Sequence, residues 1–296
     1  MKTKSLRFKT ADIIYILMMI LPVVFAMTLK ILTKPVGEGI DISGAYIFFT
    51  LNTPLQNLPI TESQVNSAVV IITILGLCLY LTHGIGKGEF LKRHHVAEWI
   101  VEKANGLVES NMDMHFKGFG PFVAAILGLS AFSSLLSLFG LYAPTSDVNI
   151  VGGWAILVFF LITYYKAICG PVQYIRSFAD PVPFLLPLNL ISEVATPISM
   201  AFRHYGNVLS GAVISVLVAT GLQGLSAKLF AFLPDFLSGI PFLQIGIPAI
   251  LSIYFDVFSG LLQAYIFAML TMLYIAGGFP ADLYGEKKKK KIMKNI

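Results

Sequence analysis

The chain has 296 residues, of which 56% are hydrophobic and only 12% charged, and its mean hydropathy is +0.78. A soluble domain carries about 25% charged residues, so this composition excludes one and points to a polytopic membrane protein. The net charge of +5 is no argument for a nucleic-acid partner: five of the 21 basic residues form one tail run, Lys287 to Lys291, and most of the others flank apolar stretches, where they orient spans.

Lys2, Lys4, Arg7 and Lys9 precede a first apolar run at 11–32. A basic region before an apolar core also describes a signal peptide. The run is about 20 residues long, enough to span a bilayer, and no clear A-x-A site follows, which favours a retained span starting on the cytoplasmic side. Residues 33–65 carry Glu38, Asp41 and Glu62 against Lys34 and read as external, with a short strand or interfacial segment around 46–51. The second span is expected from about Asn66 to Gly84, after which Lys87, Lys92 and Arg93 mark the inside face.

Residues 94–112 have helical periodicity. Val96, Trp99, Ile100, Ala104, Leu107 and Val108 share roughly one side, and Glu98, Glu102, Lys103 and Glu109 fall mostly on the other, which predicts an amphipathic helix along the cytoplasmic surface. His94 and His95 are adjacent without matching partners, so they are expected at the headgroups rather than on a metal. The third span, about 118–142, is rich in serine and glycine, which allow close helix approach in lipid. An external turn with Pro144 and Asp147 follows, and Asp147 reads as a turn residue. The fourth span, about 151–168, returns to Lys166.

The fifth apolar segment runs from Leu186 to about Phe232 and the sixth over about 249–279. As one helix the fifth would measure roughly 70 Å against a hydrocarbon core of about 30 Å, so it must tilt steeply or bend near Pro197. The basic tail is cytoplasmic. The expected fold is therefore an all-α polytopic membrane protein with about six transmembrane segments, two of them long and tilted, plus a surface amphipathic helix and both termini inside. Residues 1–65 form an N-terminal span and external segment, and residues 66–296 form a core containing a helical hairpin at about 183–279. Cys78 and Cys169 lack metal-site spacing, and nothing in the sequence supports a disulfide.

Arg203 sits inside the long apolar fifth segment. An arginine at mid-membrane costs roughly 3 kcal/mol by insertion scales and more by simulation, so it must face protein or water. Ser199, Arg203 and Asn207 are spaced i, i+4, i+8 and lie near one face. On the sixth segment Asp256 and Gln263 are seven residues apart, which places them on one side of an α-helix, with Asp256 toward the external end. Arginine supplies a permanent charge and favours the ionised form of a partner carboxylate. Asp256 is suited to proton exchange, Gln263 can hold Arg203 or order water, and Glu193, near the cytoplasmic end, is a candidate vestibule residue. An internal Arg203–Asp256 ion pair is the structural alternative.

The stretch PISMAFRHYGNVLSG, residues 197–211, resembles the signature of subunit a of the F-type ATP synthase, with Pro197, Ser199, Arg203, Gly206, Asn207 and Gly211 matching. GLLQAYIFAMLTMLYI at 260–275 and APTSDVN at 143–149 resemble two further motifs of that family, in the same order. The resemblance runs over roughly residues 60–280. It implies a non-catalytic membrane stator without a cofactor. Its Arg203 would face a ring of c subunits that each carry a mid-membrane carboxylate, Gln263 would match the family glutamine opposite the arginine, and Asp256 would stand in an external half-channel. It also implies peripheral-stalk b subunits and the rest of the complex as partners, a multi-pass place in a bacterial cell membrane, and H⁺ as the translocated ion, with Na⁺ left open.

Three departures accompany it: Ala212 stands where members often have an acid or histidine, His204 and Tyr205 replace Leu-Phe and make the lining beside Arg203 more polar, and SSLLSLFG lacks the usual asparagine of the third span. The competing readings are a secondary ion transporter or antiporter with an intramembrane Arg/Asp site, and a non-transporting assembly protein.

Overall fold

The computed structural model describes residues 10–33, 44–54, 56–85, 91–112, 114–168, 170–179, 182–230, 243 and 246–279. Six helices in it are long and apolar enough to cross a membrane: Thr10–Thr33, Glu62–Thr82, Gly120–Phe139, Val148–Ala167, Pro183–Leu229 and Ile247–Gly278. The chain is an all-α polytopic membrane protein with one small hairpin outside the spans. Cys169, the turn after the fifth span and the basic tail lie largely or wholly outside the described residues.

Helix α1 (Thr10–Thr33) packs along α2 (Glu62–Thr82). Their crossing is close at Gly76, where an added Cβ would lie 3.1 Å from Met18 Cβ and 3.2 Å from the Tyr15 carbonyl. Ion pairs tie both ends: Arg93 to Asp12 at 2.6 Å on the inside, and Lys30 to Glu62 at 2.8 Å on the outside. Between the helices, β1 (Ile47–Asn52) pairs antiparallel with β2 (Asn57–Thr61). The first strand answers the expectation at 46–51. The second contains Pro59, a residue that argues against a strand in sequence but fits the free edge of a two-stranded ribbon.

Helix α2 begins four residues before the sequence suggested. Its first turn is polar yet buried: Glu62, Ser63 and Asn66 all point inward, so a hydropathy reading starts the span too late. Helix α3 (Lys92–Asn111) is the expected surface amphipathic helix, and one side of it docks on the bundle. Ala104 and Val108 are buried toward α4, while Val96, Trp99 and Ile100 stay exposed. His94 is buried: its Nδ1 accepts from the Leu91 amide at 3.3 Å and its Nε2 lies 3.0 Å from the His83 carbonyl oxygen. It closes the start of the helix, where free amides need acceptors.

Helices α4 (Gly120–Leu135) and α5 (Val148–Ala167) form the centre with α9 (Gly260–Gly278). Val123, Val158, Phe267, Met272 and Ile275 make a fully packed core between them. Helix α4 tightens into a 3-10 turn at Leu136–Phe139 and stops at Gly140, whose φ of +70° is the left-handed cap geometry that favours glycine. Short α6 (Pro171–Ser177) leads to α7 (Leu186–Leu229), which runs unbroken through Pro197 for 44 residues, about 66 Å at 1.5 Å per residue. The sixth span is composite: α8 (Ile247–Ser252), a π-helical stretch at Ile253–Ser259, and α9.

Candidate functional site

Helix α7 divides into two faces. Met200, Ala201, His204 and Gly211 are buried against the bundle. Ser199, Arg203 and Asn207 are exposed on the other face, as their spacing predicts, with Ile198 and Phe202 exposed beside them. Arg203 makes no ion pair and no hydrogen bond with any described residue. The internal Arg203–Asp256 pair therefore does not form.

His204 does not line the surface beside Arg203 as expected. Neighbouring residues of an α-helix point about 100° apart, and His204 turns fully inward, its ring packed edge-on against Trp154 at 6.1 Å and Phe267 at 5.6 Å. Its Nε2 lies 3.3 Å from Ser130 Oγ. The sequence offered Ser130 only as a small residue for helix packing.

Gln263 is buried on α9, and its Oε1 accepts from Asn207 Nδ2 at 2.8 Å. Its partner is thus Asn207, one turn beyond the arginine, rather than Arg203. Gly211 brings the sixth span close: a Cβ there would fall 2.9 Å from Phe255 Cδ1. Asp256, next to Phe255, is half-buried and lies beside the hydroxyls of Ser137 and Ser252. It lies within the π-helical stretch, which winds differently from the α-helix that the seven-residue spacing to Gln263 assumes.

Asp256 opens into a cavity of about 300 Å³ whose wall includes Lys30, Ser134, Ser137, Tyr142 and Ala212. The space is polar enough to hold water. Its outer rim is the turn after α4. The Tyr142 amide donates to Glu62 at 3.1 Å, its carbonyl accepts from Asn66 at 2.8 Å, and its hydroxyl donates to the Ser146 carbonyl at 3.0 Å. Asp147 caps α5 by accepting from the Asn149 amide at 2.9 Å and also accepts from Ser63, which matches its expected turn role.

Burial above all, then the nearby Asp147, Tyr205 and Glu62, push the Tyr142 phenol up to about 12. The folded chain then holds that proton more tightly than the unfolded chain. Stability should fall as pH rises between about 10, the unfolded value, and about 12. Tyr142→Phe is expected to remove that part of the slope, read from thermal unfolding of the solubilised protein at alkaline pH.

Glu193 lies on the opposite, cytoplasmic side. Lys166 Nζ sits 2.7 and 2.9 Å from its two oxygens, and the Tyr174 hydroxyl donates to it at 3.3 Å. Burial and the neighbouring Glu193 raise the Tyr174 phenol. Glu193→Gln leaves a partly buried ammonium without its counter-charge, so a loss of about 1–2 kcal/mol is expected, measured as a lower thermal midpoint.

The sequence model of the family described as ATP synthase A chain matches residues 65–276. The chain belongs to that family. It is 32% identical over 228 residues to ATP synthase subunit a of Alkalihalophilus pseudofirmus, covering 71% of this chain and 90% of that protein. It is 31% identical to the subunit a of Anoxybacillus flavithermus over 247 residues, 78% of this chain and 94% of that one. The Legionella pneumophila subunit a is 28% identical over 229 residues, 77% of this chain and 90% of that one. The family match takes in the whole α7 face, Gln263 and Asp256. It begins after Glu62, so α1, the hairpin and the Lys30–Glu62 pair precede it.

Proposed function

We propose that this chain is the ion-translocating stator subunit of an F-type ATP synthase, coupling proton flow to rotation of a ring of c subunits. The observation that carries this reading is Arg203: a permanent cation halfway along a 44-residue apolar helix, exposed, with no partner among the described residues. A charge left unpaired at membrane depth demands a partner from another chain. A carboxylate on a rotor helix meets that demand. Ser199 and Asn207 flank Arg203 on the same face and would contact the same partner surface.

In physical terms, a rotor carboxylate that has bound a proton is neutral and passes into lipid cheaply, whereas an ionised one does not. Arg203 would hold the ionised form at the stator interface. Asp256, its water-accessible cavity and the Ser137 hydroxyl would deliver protons from the external side, and the region of Glu193 would receive them on the inside. Ser137 Oγ lies 2.6 Å from the Ser134 carbonyl as well as beside Asp256. One hydroxyl proton can serve only one of these acceptors at a time. It would turn to Asp256 when that group is ionised, and to Ser134 when Asp256 itself donates. The membrane potential adds about 2.3 kcal/mol per charge per 100 mV.

On this reading residues 66–296 are the stator core, the b subunits of the peripheral stalk hold it, and the complex sits in a bacterial plasma membrane. The translocated ion is H⁺. The test is ATP-driven acidification of membrane vesicles containing the assembled complex, beside proteoliposomes containing this chain alone. Acidification by the complex and no ion-coupled exchange by the isolated chain support a stator. Exchange by the isolated chain would identify an autonomous transporter instead.

A further inference from the structure

Among the described residues, Lys30 and Asp256 are the two charged ones on the wall of the external cavity, and Lys30 comes from α1, outside the stretch that matches the family. Its Nζ lies 2.8 Å from Glu62 Oε1 and donates to the Gly140 carbonyl at 2.6 Å. The Glu62 carboxylate is almost completely buried, and its other contact is the Tyr142 amide at 3.1 Å. Buried carboxylates need a counter-charge or several donors. Without Lys30, Glu62 would keep one backbone amide.

We propose that α1 is part of the ion path: Lys30 neutralises Glu62 at the rim of the cavity, so that Asp256 meets incoming protons in a field set by a balanced pair rather than by a lone charge. This rests on the stator reading above. Lys30 is a positioning residue here, acting on Asp256 through the local potential. Among the described residues, the other titratable groups at the rim are Asp147 and Tyr142 on the turn and Tyr205 on α7, and none of them supplies a second cation.

The proposal makes the two halves of the pair act in opposite directions. Glu62→Gln leaves the Lys30 ammonium uncompensated. A positive charge near Asp256 favours its ionised form, so more acid is needed to load it. Lys30→Met leaves the Glu62 carboxylate uncompensated. That favours protonation, and loading begins at higher pH. The double variant again carries no net charge at these two positions, as the parent pair does. A purely structural clamp behaves otherwise: both single variants loosen α1, both lower the rate, and the double variant is no better than either.

The experiment is ATP synthesis by inverted membrane vesicles carrying the intact complex, at a fixed imposed potential, with lumenal pH varied. The expected result is a shift of the half-maximal lumenal proton concentration of about threefold or more in each single variant. The shift is toward acid for Glu62→Gln and toward alkali for Lys30→Met, and the parent position returns in the double variant. Shifts of the same sign, or lower rates at an unmoved pH, overturn the proposal. Glu62→Gln keeps the size of the side chain and carries the test by itself if Lys30→Met does not assemble: an unmoved or alkaline profile then overturns it. If the parent complex makes no ATP from an imposed proton gradient, the stator reading fails instead, a result separate from either outcome for Lys30.

Discussion

Arg203→Ala is expected to abolish ATP-driven proton pumping while the complex still assembles. The side chain is exposed and bonded to no described residue, so its removal strands no buried group inside this chain. Substitutions of that kind cost within about 0.5 kcal/mol of fold stability. Its proposed partner is the rotor carboxylate. Removing one half of a desolvated charge pair at an interface costs roughly 2–5 kcal/mol, and each 1.4 kcal/mol is about tenfold. Pumping should therefore fall by about 30-fold at the least and by a few thousand-fold at the most, read as vesicle acidification, with assembly checked by co-purification of the other subunits. Normal pumping by an assembled variant would remove Arg203 from the mechanism.

Asp256→Asn is the second large effect. Asparagine is nearly isosteric and can still bond the Ser137 and Ser252 hydroxyls that now meet the carboxylate, so the π-helical stretch should keep its shape. What disappears is the exchangeable proton. A positioned proton-transfer group contributes about 10²–10⁴ to a rate, and cavity water offers a bypass, so a loss of about tenfold or more is expected. Asp256→Glu should recover part of it. An unchanged rate in Asp256→Asn would mean that protons reach the rotor by a path that avoids this cavity. Ala212 lines the same cavity without a titratable group, which leaves Asp256 as the one acid on its described wall.

The spans were legible because each is a long apolar run bounded by charge. The arginine face was legible because i, i+4, i+8 spacing needs only an unbroken helix, and α7 is unbroken. Three features were hidden for identifiable reasons. His204 reads as part of a polar stretch, yet the direction of one side chain depends on which face the bundle covers. Glu62 reads as an external acid, and only the fold shows that Lys30, 32 residues earlier, turns it into half of a buried pair. Gln263 reads in sequence as a group that can hold Arg203 or order water, because it is polar at a similar depth. The contact at Gly211 sets the approach of the two spans, and Asn207 is what then falls within 2.8 Å of the glutamine.

The π-helical stretch at Ile253–Ser259 has a consequence for how such chains diverge. It acts as a compass correction between two instruments on one shaft. Gln263 bonds Asn207, while Asp256 lies beside Ser137 of the third span. Deleting one residue from the stretch is expected to restore plain α winding, and Asp256 would then point elsewhere without itself being substituted. A homologue could thus move its acid from one wall to another by gaining or losing a single letter, and a column-by-column comparison would record a gap rather than a rerouted channel.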